Sequence, residues 1–223
     1  MNGVGAAIGT PNLIPLIAGV VGLGLMTIAV ITMTSFVKIS TVLMLLRNAL
    51  GTQQTPPNMV LYGIALMLTA YIMAPVVTQS YAAASTGEAR YQSFTDIQNV
   101  VGKASGPMKT FLLRFTSPGE REFFANATHR VWGEEAHLEA KPDDMIVVVP
   151  AFMLSELRRA FEAGFLLYLP FISIDLVVST VLMAMGMSAI SPTTISIPFK
   201  LFLFVAVEGW TRLFHGLVLG YAV

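Results

Sequence analysis

Cysteine is missing from the chain altogether, which excludes disulfides and thiolate metal sites. Charge is scarce. Asp, Glu, Lys and Arg make up 12% of the 223 residues, against about 25% in soluble domains. The 13 basic and 13 acidic residues cancel, so nothing supplies the basic face that nucleic acid requires. Histidine occurs three times, as His129, His137 and His215. His129 and His137, with Glu134 and Glu135 between them, fit neither HExxH nor a ligand pair four residues apart. A solvated helix or loop is the simpler reading. The pair Gly102–Lys103 lacks the rest of a phosphate-binding loop. No Ser/His/Asp grouping stands out, so the sequence points to no enzyme, no metal and no cofactor. No Lys or Arg precedes the first apolar run, so the charged start of a cleaved signal peptide is lacking. That first segment is expected to be retained.

What is abundant is apolar. Hydrophobic residues make up 55% of the chain, and the mean hydropathy is +0.71. This is a membrane-class composition. Residues 13–37 are nearly all apolar, followed by Lys38, a second run over 39–46, and Arg47. Gly51 stands where a C-cap glycine belongs, and Arg47 suits the last turn of a helix. The TPPN stretch at 55–58 stops one helix and starts the next, which runs over 59–81 with a kink expected at Pro75. These segments make a helical hairpin.

As one helix, residues 13–50 would extend roughly 57 Å, against a bilayer core of about 30 Å. Residues 145–187 are also too long for a simple span. Projection beyond the bilayer, or burial in other protein, is expected rather than a break. Glu156, Arg159 and Glu162 have the helical spacing of local ion pairs.

The organisation expected is an all-α membrane protein of long, kinked helices in two hairpins. Residues 1–83 form the first hairpin, 84–144 a small extramembrane helical region, and 145–223 the second. The middle region holds many of the charges, and FLLRF at 111–115 and Phe123–Phe124 suit short amphipathic helices. Ser117 reads as an N-cap with Glu120 downstream. Lys38 and Arg47 flank the first hairpin turn, so the positive-inside rule places that turn in the cytoplasm and the middle region outside. Gly5/Gly9 and Gly216/Gly220 have the spacing of close helix packing.

The last third, residues 150–210, carries the most information. Two apolar segments flank a short break at 188–192, and each carries charge. Charge at membrane depth is expensive and usually paired. In an antiparallel hairpin turning near 187–188, residues at one level have numbers adding to about 375. That sets Asp175 beside Lys200, and Glu162 beside Arg212. The alternatives are that each charge meets a different helix, a neighbouring subunit or water. Met183, Met185 and Met187 cluster at the turn. Methionine is flexible enough to seal a pore and re-pack, although core or lipid contact explains it equally well.

These motifs together resemble the FliP/SctR family, the export-gate membrane proteins of type III secretion systems and flagella. The first patch is FVKI at 36–39 and LLRNALGTQQTPPN at 45–58. The second is PAF at 150–152, SEL at 155–157, AF at 160–161, GF at 164–165, LPF at 169–171 and IDLVV at 174–178. It continues through MGM at 185–187, SP at 191–192, IPFK at 197–200 and EGW at 208–210. Without a cleaved signal, the chain is more similar to the injectisome branch.

The resemblance implies a subunit without enzyme activity. It implies assembly of several copies, pentamer-like, with a small Q/S-type and an R/T-type subunit and other export-apparatus proteins. Together they would form a pore passing unfolded proteins across the bacterial inner membrane, largely on its periplasmic side. It also implies an assembly-stabilising ion pair at Asp175 and Lys200, and a methionine-rich ring at the turn. Met187 keeps that pattern, while Ser188 and Ala189 depart from it. Either the gasket is thinner or it also uses Met183, Met185 and Ile190. Two other classes stay in view: a small-solute or ion transporter with a midplane site at Asp175 and Lys200, and a scaffold that never touches cargo.

Overall fold

The computed structural model describes residues 13–52, 54–85, 94–133, 140–187 and 189–222. Among these, every regular element is a helix: α1 Leu13–Met33, α2 Phe36–Leu50, α3 Asn58–Ser85, α4 Phe94–Phe115, α5 Pro118–Trp132, α6 Met145–Ala184, α7 Pro192–Ala206 and α8 Gly209–Leu219. The chain is an all-α membrane protein. Two helices, α3 and α6, are long and apolar enough to cross a bilayer, or up to four spans exist if each bent pair counts as one.

The continuous first helix expected from composition is broken. The part of α1 from Leu23 meets α2 at an angle of 64°. Thr34 and Ser35 cause the break. The Thr34 hydroxyl donates back to the Val30 carbonyl and accepts the Phe36 N–H at 3.3 Å. A side chain that satisfies both helix ends competes with the helical ladder itself. Length is thus absorbed by a bend here, not by projection.

Helix α2 is the centre of the fold. Ile39, Val42, Leu43, Leu46, Ala49 and Leu50 are all buried, against α3, α6, α7 and the end of α1. Gly51 closes α2 in the left-handed conformation at φ 75°, its N–H donating to the Asn48 carbonyl at 3.1 Å. Arg47 then staples the turn by donating to the Asn58 side chain and, at 3.3 Å, to the Pro56 carbonyl. Helix α3 continues through Pro75 as one element.

A close helix approach lies at Gly164, where an added Cβ would sit 2.3 Å from Leu45 Cδ1. Glycine lets α6 seat on α2 at that point, the small-residue packing common between membrane helices. The Gly216/Gly220 pair serves this purpose only in part, through Gly220, where an added Cβ would lie 3.5 Å from Lys38 Nζ of α2. A Cβ on Gly216 would meet nothing within 4 Å. Gly5 and Gly9 lie outside the described residues.

A second apolar cluster joins the middle of the chain to its ends. Met73 of α3, Phe111 and Leu112 of α4, Val148 and Phe152 of α6, and Tyr221 pack together. Ser117 occupies the N-cap of α5 without a side-chain capping bond. Its backbone N–H donates to Ser155 Oγ of α6 at 3.0 Å instead.

Helix α6 has 40 residues, about 60 Å at 1.5 Å per residue, twice a bilayer core. Its second half is bare. Phe165, Leu166, Leu169, Leu176, Val177 and Val181 are exposed on it, as are Phe199, Phe202 and Val205 on α7.

Candidate functional site

Three features converge on the long C-terminal hairpin. The first is an ion pair. Lys200 Nζ donates to Asp175 Oδ2 at 2.7 Å and to the Ala49 carbonyl at 3.1 Å. Ala49 lies in the last turn of α2, whose final carbonyls lack helical donors. A cation there also suits the negative end of the helix dipole. One ammonium therefore ties α7 to both α6 and α2. The pair is asymmetric: the Lys200 side chain is 6% exposed and that of Asp175 is 37% exposed. Asp175 Oδ1 is buried without a hydrogen-bond partner among the described residues.

Glu162 and Arg212, set level by the same arithmetic, are not brought together. Glu162 accepts from Arg158 Nε at 3.0 Å, one turn away on its own helix, with both side chains exposed. Arg212 makes no ion pair among the described residues and lines a groove between α6 and α8. The reason is a second bend. Level-matching assumes straight helices, but α7 and α8 meet at 61°. Glu208 stands at the break in the left-handed region, at φ 52°. Gly209 makes the corner possible, since a Cβ there would lie 2.2 Å from the Phe204 ring. Phe204 in turn packs edge-on against Trp210 at 5.3 Å.

The second feature is the turn between α6 and α7. Gly186, at φ 70°, donates to the Met183 carbonyl at 3.1 Å, and Met187 N–H donates to the Leu182 carbonyl at 3.0 Å. Those two bonds make a Schellman cap, which needs glycine at the left-handed position. Ser191 and Pro192 then start α7. Met183 and Met185 are 71% and 66% exposed, and Met187, Ala189 and Ile190 are also exposed. Ser188 lies outside the described residues. The turn thus has a fixed backbone and unpartnered, flexible apolar side chains.

The third feature is a buried polar hub. Glu156, fully buried on α6, accepts from Arg159 Nη1 at 3.0 Å and from the Tyr221 hydroxyl. Arg159 Nη1 also donates to the Phe115 carbonyl at the end of α4, at 2.9 Å. The Tyr221 ring sits edge-on to Phe115 at 4.9 Å and stacks on Phe111 at 6.1 Å. Lys38 Nζ lies 4.2 Å from the centre of that ring, within cation–π range. Lys38 is therefore a buried residue of the fold, 8% exposed, and carries no weight as a marker of membrane sidedness. Arg159 and Lys200 share a device, each giving a cation to another helix's last carbonyls. The helical spacing of Glu156 and Arg159 was visible in the sequence. The part played by Tyr221 was not, because an aromatic after an apolar helix reads equally well as an interfacial anchor.

Among the described residues no three His, Cys, Asp or Glu side chains gather as metal ligands. Glu134, Glu135 and His137 lie outside the described residues.

The FliP family pattern matches residues 20–217 of the chain. "Probable translocation protein y4yL" of Sinorhizobium fredii is 53% identical over 213 residues, 96% of each chain. "Yop proteins translocation protein R" of Yersinia pestis is 46% identical over 213 residues, 95% of this chain and 97% of its own. "Hypersensitivity response secretion protein HrcR" of Ralstonia nicotianae is 45% identical over 206 residues, 91% of this chain and 94% of its own. Both the length of these matches and their level of identity establish that the chain belongs to the FliP family.

Proposed function

We propose that this chain is a core subunit of a type III secretion export gate, forming with partner subunits a pore for unfolded proteins. The observation that carries the reading is the second half of the α6–α7 hairpin. It is bare over much of its apolar surface and anchored on α2 by Lys200, and α6 as a whole is too long for a bilayer core. Apolar surface of this extent marks contact with protein or lipid. The names of the relatives, translocation protein R and secretion protein HrcR, belong to protein secretion and support the same reading.

In this assembly several copies stand side by side in the inner membrane, pentamer-like, with Q/S-type and R/T-type subunits. Residues 84–144 lie on the periplasmic side. The turns of the copies meet around the pore. Met183, Met185, Met187, Ala189 and Ile190 form a soft apolar constriction that blocks ions at rest and re-packs around a passing chain. The Asp175–Lys200 pair holds that hairpin at a fixed angle on α2. No chemistry on the cargo is needed, so the subunit acts as a conduit. The transporter alternative is set aside, because Lys200 is engaged by Asp175 and a helix terminus and is not held open for a solute.

Native mass measurement of the detergent-purified chain tests the reading. Expressed alone, it should form a discrete oligomer. Co-expressed with the Q/S-type and R/T-type subunits, it should take up both. A monomer indifferent to those partners, under conditions that preserve an intact gate, would overturn the reading.

A further inference from the structure

A groove of about 610 Å³ runs between α2, α6 and the bent α7–α8 pair, within the range of roughly 300–1,000 Å³ typical of small-molecule sites. Leu166, Pro170, Leu203 and Leu213 give it apolar walls, and Gly216 leaves the facing side of α8 without a side chain. Two charged residues line it, Lys38 and Arg212, and both are cations. Among the described residues, no acid lines the groove.

The two cations differ in kind. Arg212 is exposed and, among the described residues, without an ion-pair partner. Lys38 is more than nine-tenths buried as a residue, but its ammonium opens on the groove, and among the described residues it makes no ion pair. Its neighbours are the Tyr221 ring face at 4.2 Å and the field of Glu156, whose carboxylate oxygens are taken by Arg159 and Tyr221. The helices that build the groove include α6 and the broken α7–α8 pair, both of membrane-spanning character.

We propose that this groove is a binding site for an acidic phospholipid. An acyl chain lies along the leucine and proline walls, and the phosphate takes the exposed guanidinium of Arg212 and faces the positive field of Lys38. Acidic lipids suit it better than zwitterionic ones, because the charged residues of the lining, Lys38 and Arg212, would repel a choline or ethanolamine ammonium and no carboxylate lines it to offset them. Bound lipid would wedge α8 against α6 across the Glu208 bend, where direct side-chain contact is lacking at Gly216.

The test is native mass spectrometry of the purified full chain, co-expressed with its gate partners and exchanged into nanodiscs of phosphatidylglycerol or of phosphatidylcholine. The wild type should retain phosphatidylglycerol preferentially. Arg212→Gln should reduce that preference by about fivefold, the effect of one surface cation on an anionic headgroup. Gly216→Leu places a side chain in open space without a clash, so it should leave the fold intact and reduce retention of both lipids. Equal retention of the two lipids by wild type would overturn the proposal, as would unchanged retention in both variants. A photo-crosslinker at position 216 that captures a partner polypeptide, with no retained lipid, would overturn it too and give the groove to a protein helix.

Discussion

Replacing Asp175 with alanine should damage the protein more than replacing Lys200 with methionine. The two residues share one bond, so a simple count of contacts gives the opposite order, since Lys200 has a second partner in the Ala49 carbonyl. Burial decides it. Losing Asp175 strands an ammonium that is 6% exposed, and an uncompensated buried charge costs about 3–5 kcal/mol. Losing Lys200 leaves a carboxylate that is 37% exposed, where water makes up part of the loss, together with one carbonyl short of a donor. Methionine also fills the lysine's apolar path. We expect about 1–2 kcal/mol there. The exchange of both residues, Asp175→Lys with Lys200→Asp, should rescue only in part, because a carboxylate at 200 would face the Ala49 carbonyl. Thermal unfolding in detergent and the yield of oligomer on native gels check this. Equal losses, or full rescue by the exchange, would contradict it.

The second large effect is expected at Glu156. Glu156→Ala removes the carboxylate of a hub in which Arg159, Lys38 and Tyr221 converge. The loss should be about 2–3 kcal/mol, since Lys38 loses its counter-charge while the Arg159 guanidinium, 41% exposed, is only partly desolvated. Glu156→Gln keeps an acceptor for the Tyr221 hydroxyl and should fall between wild type and alanine. Tyr221→Phe keeps the ring on Phe111, Phe115 and Lys38 and loses a single bond, so about 1–2 kcal/mol is expected. A double-mutant cycle on Glu156→Gln and Tyr221→Phe should show coupling, because each change removes part of the same contact. Strict additivity of the two unfolding shifts would mean that the hydroxyl does not hold the carboxylate.

These two sites show where sequence reading succeeds and where it stops. The pairing of Asp175 with Lys200 follows from one rule, that residues at equal distance from a turn lie level, and it works because both helices are continuous between the turn and the pair. Glu162 and Arg212 obey the same rule on paper and miss each other in space, because Glu208 bends the chain in between. Composition does not reveal that bend. The Val–Glu–Gly sequence at 207–209 has a glycine, yet glycine is frequent throughout this chain. The bend at Thr34–Ser35 was hidden for a related reason, as two small hydroxyl residues interrupt an apolar run very little. The cap at Gly51 was legible because glycine after a basic last turn has a specific physical cause. Lys38 is ambiguous in sequence because a single lysine after an apolar run has two explanations, and only packing separates an interfacial lysine from one held over a tyrosine ring. The methionine turn is legible in composition, but its Schellman geometry depends on the positive φ of Gly186, which glycine permits without dictating.

The most direct measurement concerns the turn itself. A photo-crosslinking residue placed at Met187, in cells where a secreted protein is stalled in transit by a fused folded domain, reads contact between the turn and the cargo. A conduit lined by this turn should give a crosslink to the stalled chain that vanishes when the stalling domain is removed. The same probe at Phe123, exposed on α5 and far from the turn in sequence, should give none. Failure to crosslink at Met187, Met185 and Ile190 alike, with cargo demonstrably stalled, would contradict the pore and leave the chain as a scaffold.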